Sequence, residues 1–117
     1  MQTVLDFIAA WNRMDWDAIA DALAEDVFYH NIPMEPIEGR AAAKAFLTAM
    51  QPVGVNWQVI AIAENGNKVL TERVDNFDLA GGKRLSVPVM GTFEIDNGKI
   101  KAWRDYFDLA TFTRQMA

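Results

Sequence analysis

The sequence contains no cysteine and a single histidine, His30. Disulfides, thiol nucleophiles and thiolate metal sites are therefore excluded, and any imidazole chemistry must run through that one residue. Basic residues are scarce as well: 11 Lys plus Arg against 16 Asp plus Glu leave a net charge of −5. A phosphate backbone requires a positive stripe, so nucleic acid is not an expected partner. No uninterrupted apolar run approaches the ~18 residues that suggest a membrane span. The opening MQTVLDFIAAWNRMD has no basic start and no long apolar stretch, and it carries Asp6; it does not read as a signal peptide. With no cysteine to oxidise, a cytoplasmic protein is the expectation. Acid–base work, if there is any, falls to carboxylates.

What is present is enough to build a core. Of 117 residues, 51% are hydrophobic and 23% charged, which suits one globular domain over residues 1–117. Val4, Ile8 and Trp11 recur at helical spacing, widened by Leu5 and Phe7. Asp15 is placed to cap a second helix in which Trp16, Ile19, Ala20 and Leu23 form one buried face. Asn12–Met14 would connect the two. Val27–Ile32 reads as a short strand stopped by Pro33, and Pro33, Pro36 and Gly39 mark a loop before an Ala-rich third helix over Arg40–Met50. Four alternating runs follow, near 55–64, 67–79, 83–95 and 99–107. Asn65-Gly66, Gly81-Gly82 and Asp96-Asn97-Gly98 separate them as hairpin turns. A last helix is expected after Asp108, through Leu109 to Met116. The layout is α+β: a strongly curved, mostly antiparallel sheet with three N-terminal helices and a short C-terminal helix around a pocket.

Strand parity assigns side chains to faces. In the second long strand Arg73 and Asp75 share a face with Val69, Phe77 and Leu79. In the last strand Asp105 lies between Trp103 and Phe107, and in the first Val27, Tyr29 and Asn31 share a face. Polar groups thus sit on three bulky apolar strand faces, the pattern of a polar cluster at the base of an apolar pocket. Taken singly, each has a plainer use. Arg73 and Asp75 can form a structural ion pair, Asp105 can join a surface with Arg104 and Arg114, and Tyr29 and Asn31 can be hydrogen-bonded core residues.

These same residues carry a resemblance. Tyr29-His30-Asn31-Ile32-Pro33-Met34 with Gly39-Arg40, Glu72-Arg73-Val74-Asp75, and Trp103-Arg104-Asp105-Tyr106-Phe107-Asp108 closely resemble the limonene-1,2-epoxide hydrolase family. That family lies within the NTF2-like fold, which also holds SnoaL-type cyclases and ketosteroid isomerase. The resemblance implies a cone-shaped fold and an Asp–Arg–Asp triad working with a Tyr and an Asn that hold the attacking water. By motif, Asp105 would be the general base, with Tyr29 and Asn31 holding the water beside it. Asp75 would be the general acid, Arg73 would bridge the two carboxyls, and Trp103 would shape the site. Phe77, Phe107 and Met34 would line the substrate space. The expected substrate is a small cyclic or terpene-type epoxide, opened by water to a vicinal diol in one step without cofactor or metal. Members of the family carry an extra segment ahead of the first helix; its absence from this sequence is expected to alter the pocket mouth or the dimer surface.

Two rival readings remain. One is an isomerase or cyclase of the ketosteroid isomerase or SnoaL type, which needs a base near a carbonyl and an oxyanion donor; the other is a non-catalytic NTF2-like binding module. The full set Tyr29, Asn31, Arg73, Asp75 and Asp105 favours hydrolysis. His30 has the opposite parity to Tyr29 and Asn31 and is expected away from the pocket. The methionines, among them Met34, Met50 and Met90, are expected in its walls and in the core. Leu70 and Val74 face away from the site, and a homodimer is the expected use of that outer surface, as the resemblance also implies.

Overall fold

A computed structural model describes residues 1–117. The first helix, α1 (Gln2–Asn12), buries Val4, Phe7, Ile8, Ala10 and Trp11. Phe7 is the hub of this face: its ring meets Trp11, Trp57, Phe93 and Trp103 edge-on, with centroids 5.1–6.4 Å apart. Full burial of such a ring contributes about 1.5–3 kcal/mol. Asn12 belongs to the helix and not to the connection expected there. Its side chain is engaged elsewhere: Oδ1 accepts from the Trp57 amide at 2.7 Å and Nδ2 donates to the Trp57 carbonyl at 3.4 Å. A helix end is thereby pinned to a strand. Asp15 caps α2 (Trp16–Ala22), accepting from the Ala18 amide at 3.1 Å.

Leu23 is fully buried as the helical spacing requires, but it opens β1 (Leu23–Asn31) instead of closing α2. The strand therefore starts four residues before Val27, with an irregularity between Leu23 and Phe28 that absorbs the change of direction. The proline loop holds a two-residue strand, β2 (Ile37–Glu38), paired antiparallel with Phe28 and Tyr29. Gly39, at φ 93°, turns the chain into α3 (Arg40–Ala49). The remaining strands are β3 (Gly54–Asn65), β4 (Lys68–Asp78), β5 (Arg84–Asp96) and β6 (Lys99–Tyr106), each within a residue or so of its expected bounds, and α4 (Leu109–Met116) follows them. Asn97 and Gly98 both take positive φ, 52° and 73°, as a tight hairpin turn between β5 and β6 demands.

The six strands form one sheet in the order β2-β1-β6-β5-β4-β3. All neighbours are antiparallel except β1 and β6, which run parallel and bring the first and last strands side by side. Tyr29 pairs with Trp103 and Asn31 with Asp105 across that junction. Helices and a buried aromatic core cover the inner face, as strand parity requires. No helix is long and apolar enough to cross a membrane.

Because the Asp15 carboxylate satisfies an amide that the helix itself leaves open, Asp15→Ala should lower the stability of the folded chain by about 1 kcal/mol. Urea unfolding of the two proteins checks this.

Candidate active site

The inner face of the sheet, α1, α3 and α4 enclose a cavity of ≈ 370 Å³ with 19 lining residues, 15 of them hydrophobic. Tyr29, Asn31, Asp75 and Asp105 are its polar side chains, joined by Met34, Phe77, Trp103 and Phe107 in the wall. Every side chain assigned to the site from the sequence thus reaches one cavity except Arg73, which lies behind its floor at 0% exposure. Asp75 and Asp105 are 5% and 4% exposed. Alternation along β4, with Val69, Thr71, Arg73 and Asp75 all buried, is what drives an arginine inward.

Arg73 holds both carboxylates. Its Nε and Nη2 donate to Asp75 Oδ1 and Oδ2 at 3.0 and 2.8 Å, a two-bond grip on its own strand neighbour. Nη1 and Nη2 donate to Asp105 Oδ1 and Oδ2 at 3.3 and 3.1 Å, across two strands. Trp103 Nε1 donates to Asp105 Oδ1 at 2.8 Å, and its ring stacks on Tyr29 with centroids 4.1 Å apart. Asn31 Nδ2 donates to the Tyr29 hydroxyl at 3.0 Å. The Trp57 ring covers the guanidinium at 4.4 Å, a cation–π contact on its buried face.

These surroundings shift three groups. Burial pushes the Asp75 carboxyl up to about 6, although the bonds from Arg73 pull the other way. Burial also raises the Tyr29 phenol, reinforced by the Asp105 charge, so that it stays a neutral hydroxyl. Burial opposes the charge on Arg73, but Asp105 and Asp75 outweigh it and hold the guanidinium above its ordinary value. A carboxyl raised to about 6 beside a permanently charged arginine and a second carboxyl holds its proton to a higher pH than an ordinary carboxylate and can donate it. No group of three His, Cys, Asp or Glu side chains converges to hold a metal ion.

His30 lies outside the cavity, and its Nε2 donates to the Met34 carbonyl at 2.9 Å. Arg104 pairs with Glu94 at 2.6 Å instead of making a surface with Asp105. Met34 and Met50 are wall residues as expected, but Met90 is not: it falls on the even parity of β5 and points outward, 52% exposed. Sequence reasoning did not find Trp57, Thr71 or Gly91, nor the helix residues Phe46, Phe112 and Met116 that close the cavity. Two of these left a signal. Thr71 shares the parity of Arg73, and Gly91 interrupts an apolar strand where no turn occurs, a mark of close approach by another group.

The raised Asp75 carboxyl makes stability depend on pH. Its folded value, about 6, lies above the ordinary 3.8, so over that window the folded chain keeps a proton that the unfolded chain has lost. The stabilisation is fully present below 3.8 and is lost as pH rises through about 6. Asp75→Asn removes it, so between those limits the wild type should lose stability relative to the variant as pH rises. Urea unfolding at closely spaced pH values measures the difference.

Comparison with known proteins agrees with this geometry. The whole chain, residues 1–117, matches the family described as limonene-1,2-epoxide hydrolase catalytic domain. The epoxide hydrolase EphG of Mycobacterium tuberculosis is 38% identical over 104 residues, covering 88% of this chain and 69% of that protein. The solved structure of an M. tuberculosis epoxide hydrolase of the same type superposes with a TM-score of 0.86 at 35% identity, over 97% of this chain and 86% of the other. An NTF2-like protein of unknown function from Cytophaga hutchinsonii has the same fold, with a TM-score of 0.80 at 25% identity over 95% and 91% of the two chains. With its whole length matched and its α+β cone shared, this chain belongs to the limonene-1,2-epoxide hydrolase family and is an enzyme of that family.

Proposed function

We propose that this enzyme adds water to a small cyclic or terpene-type epoxide, giving a vicinal diol in one step with no covalent ester on the protein. The observation that carries the reading is the bridge of Arg73 between Asp75 and Asp105, two carboxyls in one apolar cavity. Opening an epoxide with water requires a base and an acid at once, and each contributes typically ~10²–10⁴-fold when well placed. Asp105 takes a proton from water as its oxygen attacks carbon. Asp75, whose carboxyl burial raises to about 6, gives its proton to the departing oxygen. The two carboxyls hold one proton between them before and after the step, so the site does not change charge.

Tyr29 and Asn31 orient the water. With its oxygen accepting from Asn31 Nδ2, the Tyr29 hydroxyl directs its own proton into the cavity. Asn31 Oδ1 and Asp105 accept the two protons of the water, Tyr29 donates to one lone pair, and the other lone pair is left for carbon. Fixing that geometry beforehand removes an entropic cost from the barrier. The apolar wall and the volume of ≈ 370 Å³ suit a compact hydrocarbon epoxide with no second polar group. An isomerase or cyclase would have no need for an acid–arginine–base bridge beside a water clamp. The absence of cysteine suits a cytoplasmic setting.

We further propose a two-fold homodimer through the outer face of the sheet. Glu72, Met90 and Tyr106 are register neighbours there, and Met90 and Tyr106 are 52% and 49% exposed, with Leu70 nearby. A curved sheet whose inner face is filled buries its outer face best against a second copy.

Asp105→Asn, Asp75→Asn and Arg73→Gln should each lower the rate of diol formation from cyclohexene oxide by at least about 10²-fold while circular dichroism shows the fold retained. A single turnover in ¹⁸O-water should put the label in the diol; label in a protein carboxylate would sink the one-step mechanism. Sedimentation should report a dimer for the wild type and a monomer for Met90→Glu, because a second carboxylate opposite Glu72 would be buried there without a counter-charge.

A further inference from the structure

A guanidinium has five N–H groups, and all five of Arg73 are engaged. Nε and one proton of Nη2 go to Asp75, the other of Nη2 and one of Nη1 go to Asp105, and the last, on Nη1, goes to Thr71 Oγ1 at 3.0 Å. Arg73 therefore has no donor left for substrate or water, and what it can do is hold. The fifth acceptor is a neutral hydroxyl whose own direction is set: Thr71 Oγ1 donates to the Gly91 carbonyl at 3.2 Å, which turns its lone pairs toward Arg73.

Gly91 completes the arrangement. It pairs with Thr71 on one side and Asp105 on the other, so the three form a row across β4, β5 and β6. Its φ is not positive, so the backbone does not require glycine there. Space does. A Cβ at this position would overlap Arg73 Nη1 and stand 2.5 Å from Asp105 Oδ1 and 3.2 Å from Thr71 Oγ1. The guanidinium cannot retreat, because Trp57 covers it at 4.4 Å and it is wholly buried. The volume of the missing side chain is where the arginine reaches Asp105.

We propose that Thr71 and Gly91 are positioning residues for the reaction, a seat that holds the Arg73 guanidinium flat against β5 so that it grips both carboxyls at once. The inference rests on the reading of Asp75 and Asp105 as acid and base. Without the seat, Arg73 keeps its two-bond grip on Asp75, its neighbour on the same strand, and lets go of Asp105. The fold survives and the base loses its place. Neither seat residue lines the cavity, so substrate binding is untouched.

The test is steady-state hydrolysis of cyclohexene oxide by Gly91→Ala, Thr71→Val and Thr71→Ser, alongside side-chain ¹H–¹⁵N spectra of arginine. Gly91→Ala should lower kcat about 100-fold, the order of loss that a displacement of about 1 Å brings. Thr71→Val, nearly the same shape without the hydroxyl, should lower kcat about tenfold, as the loss of one buried hydrogen bond does. KM should stay within about twofold in both, and Thr71→Ser should restore kcat, because the hydroxyl and not the methyl is what acts. In the spectra the Arg73 Nη1 protons should be resolved by slow rotation in the wild type and in Thr71→Ser, and averaged in Thr71→Val. Should Gly91→Ala melt below the assay temperature, Thr71→Val decides alone. Unchanged kcat in Thr71→Val, or Thr71→Ser as impaired as Thr71→Val, would overturn the seat. Failure of the wild type to open any epoxide would instead overturn the functional reading, and the spectra would still decide whether Thr71 holds the guanidinium.

Discussion

A guanidinium with no exposed surface is tolerable only when its charge is answered on the spot. Taking such an ion out of water costs several kcal/mol, recovered only through good geometry and a full set of hydrogen bonds, and removing one partner of a buried pair typically costs about 3–5 kcal/mol. Arg73 meets those conditions with two carboxylates, a hydroxyl and an indole face. Whenever Asp75, raised to about 6 by burial, carries its proton, the three groups sum to zero charge. Such neutrality suits a cluster at the base of an apolar cavity, and in the proposed reaction the same shared proton is what the acid–base step passes from one carboxyl to the other. The stabilising arrangement and the chemical one are the same arrangement.

The aromatic wall sets the conditions for that cluster. Trp103 links the two worlds: its indole donates to Asp105, while its ring lies on Tyr29 and Phe93 and meets Phe7 edge-on. Trp11 stacks on Trp57, with centroids 4.7 Å apart, and Trp57 in turn covers Arg73. The indole N–H groups of Trp11 and Trp57 find no hydrogen-bond partner among the protein's own atoms. What these rings supply is a dry, rigid lining, which raises the Asp75 carboxyl and limits how far either carboxylate can move.

Much of this was legible before any coordinates. Alternation along β4 and β6 was enough to place Arg73, Asp75, Trp103 and Asp105 inward, because a strand has two faces and one of them is buried. Turn residues located the four long strands, since Asn97 and Gly98 have the conformational freedom that a tight turn needs. Three matching segments named the reaction class. Other features depend on contacts that no local pattern records. Leu23 fits both the end of a helix and the start of a strand, and tertiary packing chose the strand. The parallel pairing of β1 with β6, and with it the meeting of Asn31 and Asp105, joins residues too far apart for any spacing rule. Phe112 and Met116 reach the cavity only because α4 folds back onto β5. Met90 was misplaced by composition, where parity would have put it outside.

That parallel junction has a consequence for how the molecule comes into being. β6 is a central strand although it comes last of the six in chain order, and it stands between β1 and β5. Until residues 99–106 have been synthesised, β1 has no partner beyond the two residues of β2, and the β3–β5 meander ends in an open edge. Tyr29 and Asn31 then wait on one fragment, and Arg73 with Asp75 on another. Insertion of a single late strand closes the sheet, delivers Asp105 to Arg73, and covers two aggregation-prone edges in one event. A ribosome-bound chain therefore has no complete site until residues 99–106 have emerged, and its most vulnerable interval is the one just before that strand appears.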